Sequence, residues 1–245
     1  MTQRDYGFFV GYLNNVSRPI ASFSIMAGLV LVCLFGGLAM LLGRGADVAS
    51  AGQDFSDSEV QISGIIRQKP YPLVLVSADA AHPDGQAIML AGDSKRAPDG
   101  LVEGQAVSLD GLLLKRGTLD MLVLGKSAPA HLPGPSALAA QSHGRWRVSG
   151  EICDGKCNAG AMRPGSGLAH KACANLCLAG GLPPVLVMRQ SVLGTNFLLL
   201  ADENGNPAPE SMRDLTALPV ELEGEIESLG NILIMRVDWQ KAYAL

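Results

Sequence analysis

Cys153, Cys157, His170, Cys173 and Cys177 fall within 25 residues of one another, in the spacing C-x3-C-x12-H-x2-C-x3-C. Thiolates and imidazole are the usual donors for zinc, and thiolate-rich sets also suit copper(I) or an iron–sulfur cluster. Ser166 is a plausible N-cap, residues 167–178 are good helix formers, and Gly180 suits a stop. On that helix His170, Cys173 and Cys177 share one face. Cys153 and Cys157 flank an Asp154-Gly155 turn, so both thiols are expected to point into one knuckle. Five residues are then available to a four-coordinate ion, with Met162 a further soft donor or simply a packed side chain.

Disulfides are the competing use of the same cysteines. Cβ atoms four residues apart on a helix stand about 5–6 Å from each other, whereas a disulfide needs about 3.5–4.5 Å. Bonds must therefore cross between the pairs, Cys153 or Cys157 to Cys173 or Cys177, if the helix is to survive. A third use is a redox-active thiol pair. No C-x-x-C is present, and only Lys156, Lys171 and the helix N-terminus stand nearby in sequence to favour a thiolate. Metal and disulfide remain open alternatives.

The elements that carry this stretch come from an internal repeat. Gln61-Ile-Ser-Gly64-Ile matches Arg147-Val-Ser-Gly150-Glu-Ile152, and Val107-Ser-Leu-Asp-Gly111 matches Val220-Glu-Leu-Glu-Gly224. Between them, Pro72 to Val76 resembles Pro184 to Met188, and Ala87 to Leu90 resembles Phe197 to Leu200. Alternation of apolar residues marks half-buried strands. About five strands in each copy suit a small barrel of the OB type, with an SH3-like barrel or small sandwich as the alternative. The fold class is therefore mainly β: a membrane helix, then two tandem small β-barrels. Gly64 and Gly111 are 47 residues apart, but Gly150 and Gly224 are 74, so the second copy holds a 27-residue surplus. It fits the Cys/His stretch 152–181, an insert that the sister domain folds without.

The flanking chain divides accordingly. From Pro19 to Gly43 no residue is charged, with Arg18 and Arg44 as bounds. Such a helix is about 37 Å long, enough to span a bilayer. A cleaved signal peptide is the rival, since Ala49-Ser50-Ala51 has a small-x-small pattern, but the apolar run is too long and starts too late. The expected order is a cytoplasmic or interfacial segment 1–18, a transmembrane helix 19–43, a linker 44–59, a first OB-like domain 60–126, a linker 127–145 and a second OB-like domain 146–245. Arg4 and Arg18 precede the span while Asp47, Asp54, Asp57 and Glu59 follow it, which favours a cytoplasmic N-terminus and periplasmic domains in a bacterial inner membrane. Tyr6, Phe8, Phe9 and Tyr12 would anchor in lipid headgroups or touch another subunit. Cys33 lies in the span as an inert packing residue.

Composition narrows the function. The chain of 245 residues has a formal charge of −4, and residues 45–245 hold 16 Lys and Arg against 22 Asp and Glu, with six aromatics. Nucleic-acid binding by an OB barrel needs a basic groove and stacking aromatics, so it is excluded. No Gly-x-Ser-x-Gly, P-loop or His-Glu-x-x-His occurs, and no catalytic constellation is recognisable. His82 lies in a turn, and His131 and His143 fall in the linker, all read as solvated.

Residues 150–184 resemble a motif of an uncharacterised family of bacterial membrane-anchored proteins: Gly150-Glu-Ile-x-Asp154-x-Lys156-Cys157, then His170-x-x-Cys173-Ala-x-x-Cys177-x-x-Gly180-Gly181-x-Pro183-Pro184. The Phe8 to Leu13 start is similar to that family as well. The resemblance implies architecture rather than a reaction. The family's position matching Cys153 is often not cysteine, which implies that Cys157, His170, Cys173 and Cys177 form one unit. The expected function is a non-catalytic accessory or assembly subunit of a membrane redox or respiratory complex, with membrane lipid and other membrane subunits as partners. The alternatives are a metal carrier or electron-transfer module holding zinc, copper or an iron–sulfur cluster, and a thiol–disulfide protein.

Overall fold

A computed structural model of the chain describes residues 17–46, 55–80, 82–129, 138–163 and 165–245. The chain divides into two compact units, Met1–Val48 and Ala49–Leu245. In the first, helix α1 spans Arg18–Ala46, and its stretch Arg18–Leu41 has a mean hydropathy of 2.4 with no buried residue in its apolar window. Phe23, Leu29, Val32, Phe35 and Leu41 all stand exposed. A helix apolar on every side offers water no polar face, and its length suits a bilayer crossing. The aromatic segment Tyr6 to Tyr12 and the Ala49 to Ala51 cleavage alternative lie outside the described residues.

The second unit is mainly β. Strands β1 (Phe55–Arg67), β2 (Leu73–Val76), β3 (Gln86–Ala91), β4 (Ala106–Arg116) and β5 (Leu119–Pro129) form a closed barrel in the order β1-β2-β3-β5-β4. Strands β6 (Ala140–Asp154), β7 (Pro184–Val192), β8 (Thr195–Asp202), β9 (Pro219–Leu229) and β10 (Ile232–Val237) pair in the same cyclic order, with the β9–β10 ladder closing the ring. The short strand β11 (Tyr243–Ala244) adds to β9. In both rings the third and fifth strands are parallel and the other ladders antiparallel. Closure leaves no long sheet edge exposed.

The repeat has a physical cause. Ile66, Val74, Leu90, Val107 and Leu122 fill the first barrel, and the register-equivalent Ile152, Leu186, Leu200, Val220 and Met235 fill the second. The repeated glycines mark close backbone approaches. A Cβ on Gly64 would overlap the carbonyl oxygen of Leu75, and one on Gly150 that of Val187, the matching residue on the matching strand. Gly111 meets Val123 and Gly224 meets Arg236 in the same way. Only glycine lets neighbouring strands coil this tightly.

A third core lies between the barrels, and it is built from equivalent faces. Leu73, Ala87, Met89, Ala91 and Met121 of the first barrel share one buried cluster with Val185, Phe197, Leu199, Ala201 and Ile234 of the second. The polar contacts at its margins come in matching pairs. Thr118, in the β4–β5 turn, bonds Thr195 at the start of β8, while Asn231, in the β9–β10 turn, accepts from Ala87 N at the start of β3. Tyr71 and Lys69 of the β1–β2 loop bond Ala208 N and Asn206 of the β8–β9 loop. On the opposite margin, the insert between β6 and β7 meets the β3–β4 loop. The second unit is thus a quasi-two-fold pair of barrels joined in one chain, each presenting the same patch.

Three boundaries differ from the sequence expectation. Strand β1 begins at Phe55 inside the expected linker 44–59, because Phe55 to Glu59 continue the ladder with Arg116 to Leu112. Strand β5 runs to Pro129 and β6 starts at Ala140, so the linker 127–145 is mostly strand at its ends. His143 is therefore a strand residue whose Nε2 lies 3.0 Å from Ser228 Oγ, not a linker histidine, whereas His131 lies outside the described residues.

Candidate metal centre

The insert leaves β6 at Asp154 and folds into a π-helical turn, Cys157–Ala161, a 3-10 turn, Leu168–His170, and helix α2, Lys171–Ala179. Asp154 starts it. Its Oδ1 accepts from Cys157 N at 2.8 Å, and its Oδ2 lies 3.2 Å from His170 Nε2. One fully buried carboxylate therefore ties the first turn of the insert to the start of α2. His170 occupies the N-cap position, and the expected helix 167–178 begins with the 3-10 turn. Gly180 ends α2 as expected. The reason is contact rather than a left-handed backbone: a Cβ there would overlap the Lys95 carbonyl oxygen.

Cys157, Cys173 and Cys177 bring their sulfurs within 4.8 Å of one another. Cys157 Sγ and Cys177 Sγ are 3.9 Å apart. Two sulfurs bound to one ion at about 2.3 Å each stand roughly 3.8–4.0 Å apart in tetrahedral or trigonal geometry, so this pair already has the spacing of co-ligands. A second group, Asp154, Cys157 and His170, is equally close and wholly buried. Met162 Sδ lies 3.9 Å from Cys173 Sγ at the exposed side of the cluster. All five cysteines are free thiols.

Cys153 does not join its neighbours. Its sulfur contacts Glu151 Oε1 at 3.4 Å, and it belongs to neither group. Strand alternation explains this correction to the expected knuckle. Ile152 points into the second barrel, so Cys153 turns outward into the inter-barrel core. Burial, followed by the Glu151 carboxylate, pushes its thiol well above the ordinary range. That is the environment of an inert packing thiol.

A cation reaches the thiols from the other barrel. Lys95, in the loop after β3, places Nζ 2.7 Å from Cys173 Sγ and 3.8 Å from Cys177 Sγ. Its contact with Cys173 raises its own pKa. Lys156 holds this loop, donating to the carbonyls of Gly92 at 2.8 Å and Ser94 at 2.7 Å, and Ala97 N donates to Gly180 O. Within the close pair, Cys157 and Cys177 share a thiol hydrogen bond in which either sulfur can donate. This hydrogen bond holds the Cys177 pKa down, helped by Lys95, and drives that of Cys157 up, with burial adding to the rise.

The π turn is clamped from the first barrel as well. Arg116 Nη1 donates to Asn158 Oδ1 at 2.9 Å, and the guanidinium groups of Arg116 and Arg163 both lie over the Phe55 ring, 4.9 and 4.6 Å from its centre. The insert is therefore part of the packing between barrels, since Cys157, Ala159, Cys177 and Leu182 sit in the third core. Lys171, expected near the thiols, instead donates to Asp214 O.

Of the residues selected by spacing, Cys157, His170, Cys173 and Cys177 converge around Cys157, and Cys153 does not. Asp154 was legible within the motif yet had no assigned role. Lys95 carried no sequence signal at all. Comparison with protein families, curated proteins and solved structures finds nothing that matches this chain.

Proposed function

We propose that this chain is a membrane-anchored metal-binding protein that holds a thiophilic ion, zinc or copper(I), on Cys157, Cys173 and Cys177. The observation that carries the reading is the convergence of three thiols from two elements, with the close pair already at co-ligand spacing. Lys95 supports it as an outer-sphere cation, because three metal-bound thiolates leave excess negative charge in a half-buried site. Helix α1 would tether the barrels to the bacterial inner membrane with the site on the periplasmic side, following the charge bias of the flanks. The role that fits is a carrier or accessory subunit of a membrane redox complex.

The test uses the full-length chain in detergent, reduced without oxygen, loaded with zinc or copper(I) and freed of excess ion. Elemental analysis is expected to find bound metal, with Cys157, Cys173 and Cys177 protected from thiol reagents until a chelator is added. A reduced protein that retains no metal, or thiols equally reactive with and without the ion, would overturn the reading.

A further inference from the structure

The two groups of ligand atoms differ in chemistry and meet at one residue. Cys157, Cys173 and Cys177 form an all-sulfur triad, open at its Cys173 side towards Met162. Asp154, Cys157 and His170 form a buried triad of one oxygen, one sulfur and one nitrogen. Cys157 is common to both. We infer that the site holds two divalent ions bridged by the Cys157 thiolate, one on Cys173 and Cys177 and the other on Asp154 and His170. The inference rests on the metal-binding reading above and extends it to a second ion.

Two observations support a pair rather than one ion with a spare histidine. The first is the grouping itself. Asp154 and His170 form a buried group with Cys157, and His170 belongs to no group with the sulfurs of Cys173 and Cys177, so a single ion on those sulfurs would leave His170 without a role as a ligand. The second is chemistry: a carboxylate, an imidazole and a thiolate together form a set that zinc accepts readily, and a thiolate sulfur has lone pairs enough to serve two ions.

The geometry also gives the two positions different access. Cys173 is partly exposed and Met162 is 41% exposed, so the all-sulfur position faces solvent. Asp154 and His170 are buried, so the second ion would enter and leave slowly.

Zinc titration of the reduced full-length protein in detergent, read by native mass spectrometry and elemental analysis, tests the pair. The expected result is two zinc ions per chain, falling to one in His170→Gln and one in Asp154→Asn, with Cys157→Ser retaining fewer than either. Asp154→Asn keeps the oxygen that caps Cys157 N. A wild-type chain that saturates at one ion overturns the bridged pair while leaving the metal-binding reading intact; no bound ion overturns both. Cobalt(II) supplies a readout that needs no variant. A thiolate-bridged pair couples magnetically, so the paramagnetic resonance signal should grow up to one equivalent and decline towards two. A signal that rises to two equivalents without loss contradicts the bridge.

Discussion

The ammonium of Lys95 lies 2.7 Å from the sulfur of Cys173, across 78 residues of sequence and from one barrel to the other. It is the only lysine or arginine side chain bonded to a cysteine sulfur among the described hydrogen bonds, and it touches Cys177 as well. Removing a partner of this kind usually weakens metal binding by about 10–100-fold. Lys95→Gln should therefore raise the zinc dissociation constant by about that factor, measured by competition with a chromophoric chelator. Unaltered affinity would make Lys95 a bystander.

Lys156 acts one step further out, since it holds the loop that carries Lys95 through the carbonyls of Gly92 and Ser94. Burial holds its pKa below that of a free lysine. Lys156→Met leaves those carbonyls without their donor, at a cost of about 1–3 kcal/mol. The urea midpoint of the metal-free protein should fall, and zinc affinity should fall with it, because Lys95 loses its support.

The coiled strands set a second expectation. Gly64→Ala and Gly150→Ala each force a Cβ into a backbone carbonyl, of Leu75 and Val187 respectively. Overpacking of this kind costs about 1–3 kcal/mol or more. Both variants should lose stability in urea to a similar degree, because the two barrels share the same register. A neutral Gly150→Ala would mean that the equivalence of the repeats is superficial.

Much of this architecture was legible in the sequence. Gly64 and Gly150 recur because the same carbonyl faces each of them, and the apolar positions around them recur because each barrel has its own interior. The long apolar helix and the 27-residue surplus followed from patterns of the same local kind. The relation between the barrels did not. Leu73 and Val185 look like ordinary strand residues, and nothing in their spacing says that outward faces bury each other. Cys153 lies outside both ligand groups because strand alternation, which spacing along the chain ignores, turns it away. Lys95 was invisible because its partner is fixed only after both barrels have paired.

That pairing is itself testable at its polar margins. Tyr71→Phe leaves Ala208 N without its acceptor, and Asn231→Ala does the same to Ala87 N on the other side. Each should cost about 1–3 kcal/mol. The two losses should add, since sites without shared partners couple weakly. Equilibrium urea unfolding of the single and double variants gives the comparison.

The most direct measurement of the central claim is X-ray absorption at the metal edge of the zinc-loaded full-length protein. Metal held on Cys157, Cys173 and Cys177 gives sulfur scatterers at about 2.3 Å, and their number should fall in Cys173→Ser. A first shell of oxygen and nitrogen alone, unchanged by that substitution, would contradict the account.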